Sequence, residues 1–196
     1  MPKDYINYKL SGVFATDFSD ASGMLLLDVK HKKYAQPILE YIGIRADQLP
    51  KLHESYEVTG KLTEEIKKTL GLNQEVLIVA GAGDQVAGAV GTGTVVEGIV
   101  SVILGTSGVV FAAHNDYVMD SKNRLHAFCH ANGKYHSMGV MLSAASCLKW
   151  WSEEIIDHPI DDLWNEVDDS LSPVFFYLIF WGRGLRTPPP MLGVLL

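Results

Sequence analysis

Two glycine-rich turns hold the residues of this chain best suited to chemistry. The first, Gly81-Ala82-Gly83-Asp84-Gln85, leaves an apolar run at residues 76–80 and ends beside a carboxylate. The second, Gly105-Thr106-Ser107-Gly108, follows another apolar run and carries two hydroxyls. Residues 76–113, which contain both, hold eight of the chain's 18 glycines and only two charged residues, Asp84 and Glu97. A lone carboxylate leaving an apolar strand suits a placed general base, and the dipole of a helix starting there keeps it ionised. Backbone N–H groups and hydroxyls exposed on a glycine turn suit a phosphate. Together the turns point to phosphoryl transfer, with Asp84 taking a proton from an alcohol whose oxygen attacks a phosphoryl group. Each turn also has a plainer reading: Asp84 as the N-cap of a helix, and the second turn as an ordinary hairpin loop. Gly81 and Gly83, which let another molecule approach the backbone, and the pairing of the two turns favour the chemical reading.

The elements that must position these turns follow from periodicity. Residues 76–80 are apolar throughout and of strand length, which predicts a strand buried on both faces. Residues 84–90 predict a helix of small residues, close-packed on its neighbours. Residues 99–104 and 109–113 predict a hairpin around the Gly-Thr-Ser-Gly turn. Residues 126–140 predict two more strands around Asn132-Gly133, a favoured hairpin pair. Residues 141–155 predict a helix, and Ile160, Leu163, Trp164 and Val167 a further amphipathic stripe. Upstream, residues 63–70 predict a helix capped by Thr63, with Glu64 and Glu65 in its first turn, Lys67 and Lys68 in its last, and Gly71 after it. Residues 31–43 predict another, ending at Gly43, with Pro37 disturbing its middle. Residues 1–28 are mixed, and residues 16–23 read as a polar turn bonded to itself through Asp, Ser and Thr.

Bulk properties bound the class. A length of 196 residues allows one domain or parts of two. With 47% hydrophobic and 20% charged residues the chain is an ordinary globular one. A net charge of −7 argues against nucleic acid as the main partner, because phosphate backbones select basic faces. The two cysteines, Cys129 and Cys147, sit in apolar surroundings and suggest no disulfide framework, which fits a reducing cytoplasm. The first residues contain no apolar signal segment, and the longest apolar run, residues 174–181, is far short of the ~20 residues of a membrane span.

Two further chemistries are weaker. His126, Cys129, His130 and His136 invite a metal, but their spacing fits no standard zinc pattern, and strand alternation separates His126 from Cys129. Strand, Gly81-x-Gly83 and helix also resemble a dinucleotide-binding opening. The third glycine, Gly88, comes two residues late for that fingerprint.

The ordered motifs resemble the FGGY carbohydrate kinases, and most closely the xylulose kinases among them. They are Pro-Lys-Asp-Tyr at 2–5, Ala-Thr-Asp-Phe-Ser-Asp-Ala-Ser-Gly at 15–23, Leu-Asp-Val at 27–29, Gly-Ala-Gly-Asp-Gln at 81–85, Leu-Gly-Thr-Ser-Gly at 104–108, Phe-Cys-His-Ala at 128–131 and Val-Met-Leu-Ser-Ala-Ala-Ser-Cys-Leu-Lys-Trp at 140–150. The resemblance implies an α/β fold of the actin-like, ribonuclease-H-like sugar kinase class, present in part: the end of a first domain and the start of a second. It implies boundaries of 1–94, 95–172 and an aberrant tail at 173–196. It also implies Asp84 as the base acting on O5 of D-xylulose and Gln85 as a sugar contact. Gly105, Thr106, Ser107 and Gly108 would lie at the phosphates of ATP, with Mg2+ neutralising the triphosphate. Xylulose kinases often carry Asn where Gln85 stands, whereas glycerol kinases carry Gln, so glycerol, ribulose or gluconate stay open as substrates. The full-length family admits a homodimer.

Departures from the family pattern carry their own expectations. The family's opening Asp-x-Gly-Thr phosphate loop and its late adenosine segment have no counterpart in the sequence. Residues 153–169 hold eight acidic side chains and residues 173–196 none. The family's usual Ser-Gly-Glu-Arg-Thr-Pro-His is replaced by Trp-Gly-Arg-Gly-Leu-Arg-Thr-Pro, as a one-nucleotide frameshift would produce. The chain alone is therefore expected to be inactive, and a non-catalytic remnant is the reading from another class. Faces left uncovered predict association or aggregation.

Overall fold

The computed structural model describes residues 1–162. The tail and the stripe beyond Ile160 lie outside the described residues. Two compact units are present. The first comprises Met1–Val100, Ala112–Met119 and Ala127–Ser137; the second comprises Ser101–Phe111, Asp120–His126 and the residues from Met138 on.

The first unit opens with helix α1 (Pro2–Ser11). Pro2 stands at its start, where its missing N–H costs nothing, and Gly12 closes it at φ 75° with its N–H on the Tyr8 carbonyl. This helix is absent from the sequence reading because only Asp4 is buried along it, so no apolar stripe marks it. Residues 16–23 are more than a polar turn. They continue strand β1 (Ala15–Asp17) into the short helix α2 (Phe18–Ala21), and Thr16, Asp17 and Ala21 are fully buried. The self-bonding holds, since the Asp17 side chain accepts the Ser19 N–H.

Strands β2 (Leu27–Asp28) and β3 (Lys33–Tyr34) pair antiparallel. Helix α3 (Gln36–Ile42) then ends at Gly43, φ 72°. It starts five residues later than the pattern suggested, because Pro37 sits in the first turn and initiates the helix rather than interrupting it. Strand β4 (Lys51–His53) lies parallel to β1, with Ala15 opposite Lys51 and Asp17 opposite His53. Strand β5 (Val58–Lys61) precedes α4 (Glu64–Thr69), whose N-cap is Thr63 as the sequence requires.

Strand β6 (Leu77–Val79) pairs antiparallel with β5, Val58 opposite Val79 and Lys61 opposite Leu77. This corrects the expectation of two-faced burial: Ile78 is buried, but Leu77 and Val79 are 52% and 47% exposed. An all-apolar run cannot by itself distinguish one covered face from two. The antiparallel pairing also removes the dinucleotide reading, which needs parallel strands. Helix α5 (Asp84–Gly91) follows and buries Val86 and Ala89. The apolar heart of the unit is Ala21, Leu27 and Cys129, packed by Phe18, Met24, Val29, Leu52 and Tyr135.

Strands β7 (Val100–Leu104), β8 (Gly108–His114), β9 (His126–Cys129) and β10 (Tyr135–Met141) form a sheet of order β7-β8-β10-β9. Both predicted hairpins are present, and Gly133 takes φ 82° in the turn between β9 and β10. Helix α6 (Ala145–Trp150) starts later than expected because β10 runs on to Met141, and it passes into a wider turn at Trp151–Ile155.

Candidate active site

The loop from β6 to α5 is short, and its backbone is fixed at nearly every residue. Ala80 N–H donates to the Glu57 carbonyl at 2.9 Å, and Gly81 N–H to the Ser55 carbonyl at 3.0 Å. Asn7 Nδ2 donates to the carbonyls of Val79 and Ala80 at 3.0 and 3.1 Å. Gly81 takes φ 80°, a left-handed conformation in which a side chain is strained. Gly83 N–H donates to Ser19 Oγ at 3.1 Å. The N-cap of α5 is Gly83, so Asp84 is the first helical residue and not the cap. Its carboxylate is exposed and accepts the N–H of Gln85 at 2.7 Å. The Gln85 Oε1 atom beside it is buried and accepts no hydrogen bond among the described residues.

Beneath this loop lies an ionic cluster that sequence reasoning missed. Asp17 is fully buried. Its Oδ2 accepts the Ser19 N–H at 2.8 Å, the Ser55 hydroxyl at 2.8 Å and the Ser19 hydroxyl. Its Oδ1 faces the Lys3 ammonium at 2.7 Å. Lys3 also reaches Asp4 at 2.6 Å and Asp20 at 3.7 Å. Burial alone would lower the pKa of Lys3, but its hydrogen bonds to Asp17 and Asp4 and their charges outweigh burial and hold it above the ordinary value. Asp20 is held above the usual carboxylate range by burial, with Lys3 opposing and Asp17 and Asp4 adding to the rise. The signal was in the sequence: Lys3, Asp17 and Ser19 fall within the quoted family motifs, but nothing there says that they meet.

The second turn is in the other unit. Gly105 N–H donates to the Ser107 carbonyl at 2.8 Å, so that N–H is used within the turn. The start of α6 takes up the carbonyls: Ala144 N–H and the Ser146 hydroxyl donate to Thr106 O at 2.8 and 2.9 Å, and Ala145 N–H to Gly105 O at 2.9 Å. Gly108 is buried, and a Cβ there would stand 3.0 Å from the Ala144 methyl. Thr106 and Ser107 are exposed, and their hydroxyls make no hydrogen bond among the described residues. Asp84 and Gln85 are thus adjacent in the first unit, and Gly105, Thr106, Ser107 and Gly108 form one turn in the second.

Of the histidine and cysteine group, Cys129, His130 and His136 are built into the first unit's packing, whereas His126 falls in the second unit. His130 Nε2 lies 2.9 Å from the Thr94 carbonyl, and its ring stands edge-on to His136 at 5.9 Å. Burial depresses the His130 pKa, the bond to Thr94 opposing. Cys129 Sγ contacts the Val29 carbonyl at 3.7 Å, and burial raises its thiol to about 11. Among the described residues no group of three or more His, Cys, Asp or Glu could hold a metal ion, and no helix is long and apolar enough to cross a membrane.

Comparison with known proteins gives this geometry a context. Residues 1–91 match the N-terminal domain of the FGGY family of carbohydrate kinases. The chain is 40% identical over 192 residues to a xylulose kinase of Escherichia coli strain K12, covering 96% of this chain and 39% of that protein. It is 38% identical to one from Klebsiella pneumoniae, with the same coverages of 96% and 39%. The chain therefore spans about two fifths of the length of these relatives. The crystal structure of a kinase from Brucella ovis, described as a xyloylose kinase, superposes with a TM-score of 0.83 at 39% identity, over 89% of this chain and 36% of that one. A ligand-bound xylulose kinase from Lactobacillus acidophilus, at 23% identity and a TM-score of 0.76 over 83% of this chain and 34% of that one, shares the fold.

Proposed function

From a chain that belongs to the FGGY family of carbohydrate kinases, phosphotransferases acting on sugar hydroxyls, we propose the base-bearing part of a kinase that phosphorylates D-xylulose to D-xylulose 5-phosphate with ATP. The actin-like fold of these kinases is present in part. The observation that carries the reading is the exposed Asp84 carboxylate at the first position of α5, presented by a loop in which Gly81 takes φ 80°.

In the proposed reaction Asp84 accepts the proton of the sugar O5 hydroxyl as O5 bonds to the γ-phosphorus of ATP. The bond from that phosphorus to the bridging oxygen of ADP breaks, and the proton stays on Asp84. A sugar hydroxyl donating to Gln85 Oε1 satisfies a buried acceptor that has no partner of its own among the described residues. The exposed Thr106 and Ser107 supply donors for the nucleotide phosphates. Magnesium belongs to the triphosphate in this reading, where it would neutralise phosphate charge; among the described residues no group of three or more His, Cys, Asp or Glu could hold it. Gln85 favours a second reading within the family, a polyol or another sugar as acceptor, which a substrate panel decides. A cytoplasmic enzyme fits both.

The test grafts residues 2–150, which carry the family motifs, into the Escherichia coli relative in place of the segment they match. The chimera is expected to turn over D-xylulose and ATP, and Asp84→Asn to lower kcat by about 10²–10⁴ while sparing ATP affinity, the range of a general base. Unchanged turnover removes Asp84 from the base role. The 196-residue chain alone is expected to show no turnover, since positioning supplies most of the catalysis in phosphoryl transfer.

A further inference from the structure

We propose that Ser19 and the buried Asp17 are positioning residues for Asp84, setting the direction of the β6–α5 loop through one hydrogen bond of enforced polarity. The proposal rests on Asp84 as the base. Ionised, Asp17 can only accept hydrogen bonds. A serine hydroxyl has one hydrogen, and that of Ser19 goes to Asp17 Oδ2. Ser19 Oγ is therefore left as an acceptor, and what it accepts is the N–H of Gly83, the residue before Asp84.

The same Oδ2 also accepts the Ser55 hydroxyl, and the Ser55 carbonyl accepts the N–H of Gly81. One carboxylate thus organises both serines that hold the loop. The other oxygen of that carboxylate faces the Lys3 ammonium at 2.7 Å. The Lys3 stem also underlies the loop, since a Cβ on Gly81 would stand 3.4 Å from Lys3 Cδ. Ser19 and Ser55 are 5% and 8% exposed, so water does not substitute freely for these bonds. The order from ammonium to carboxylate, hydroxyl, Gly83 amide and Asp84 connects charge buried at Lys3–Asp17 to the aim of an exposed base.

The two serines make their own control. Each donates to the same Asp17 oxygen, but only the Ser19 hydroxyl touches the loop. The experiment uses the 196-residue chain, labelled with ¹⁵N and ¹³C, as wild type, Ser19→Ala, Ser55→Ala and Ser19→Thr. Ser19→Ala is expected to speed exchange of the Gly83 amide about tenfold, the worth of one hydrogen bond. It is also expected to move the Asp84 carboxyl ¹³C and Gln85 amide resonances. Ser55→Ala leaves those signals in place, and Ser19→Thr, which keeps the hydroxyl, restores them. Wild-type Gly83 and Asp84 signals in Ser19→Ala, or equal displacement in Ser55→Ala, overturn the proposal. Should Ser19→Ala not fold, Ser19→Cys, with the same number of heavy atoms and a weaker acceptor, reads the same resonances. None of these readouts needs turnover, so an inactive Asp84 would show only in the chimera kinetics and not here.

Discussion

Replacing Asp17 tests how strongly the buried ionic cluster stabilises the first unit. Asp17→Ala removes the acceptor of three hydrogen bonds and one of the two carboxylates that lie against Lys3. Breaking a buried ion pair by removing one partner costs about 3–5 kcal/mol, and each stranded buried donor about 1–3 kcal/mol. Two effects pull the sum down. Lys3 retains Asp4 at 2.6 Å and is 22% exposed, so its charge is not abandoned. The serine hydroxyls can also rotate toward other acceptors. The expected loss for Asp17→Ala is thus about 3–5 kcal/mol, against a total of about 5–15 for a domain. Asp17→Asn keeps the shape and one acceptor oxygen but turns an NH2 toward donors, and should cost about 2–3 kcal/mol. The assay is urea unfolding followed by far-UV circular dichroism, with amide exchange at Thr16 and Ala89. Tryptophan fluorescence does not serve, because Trp150 and Trp151 are in the second unit and Trp164 and Trp181 lie outside the described residues. A double-mutant cycle with Lys3→Met should show coupling of about 1–3 kcal/mol. A loss below about 1 kcal/mol for Asp17→Ala would refute the argument that the cluster is a net stabiliser.

Other outcomes follow from the same geometry. Cys129, fully buried with its thiol raised to about 11, should resist alkylation at pH 8 in the native chain while the partly exposed Cys147 reacts; equal labelling by mass spectrometry would contradict the packing. Asp20 has a folded pKa above its ordinary 3.8, so its contribution to stability is full below pH 3.8 and is lost as pH rises through the folded value. Asp20→Asn should therefore raise Tm at pH 7 and leave it unchanged near pH 3; a lower Tm at pH 7 would count against this. Gly81→Ala, forced to φ 80°, should cost about 1–2 kcal/mol in urea unfolding; a neutral effect would mean that the loop relaxes.

Much of the fold around the candidate site was legible because its signals are local. The Thr63 cap, the strand before Gly81, the helix beginning at Asp84 and the two hairpins all follow from residues within a few positions of each other. Failures came where tertiary partners decide. One face of β6 is uncovered, which its apolar run concealed. Helix α1 carries no apolar stripe because what it buries is Asp4. Residues 16–23 have the composition of a surface turn, and their burial becomes intelligible only with Lys3 and Ser55 brought alongside. A polar run that is buried looks, in one dimension, like one that is wet.

The return of residues 127–137 to the first unit governs when that unit can close. Cys129 N–H donates to Ser22 Oγ across 107 positions, Lys32 Nζ to the Gly133 carbonyl across 101, and Tyr135 hydroxyl to the Lys30 carbonyl across 105. Cys129 is also one of three buried residues at the apolar heart. Contacts so distant along the chain are slow to form, because loop closure precedes any reward. At about 5–20 residues per second, synthesis exposes the segment matching the family domain for roughly 2–8 s before Cys129 is made. During that interval Ala21 and Leu27 lack their lid. The nascent chain thus has a window in which its heart is open to solvent and to chaperones.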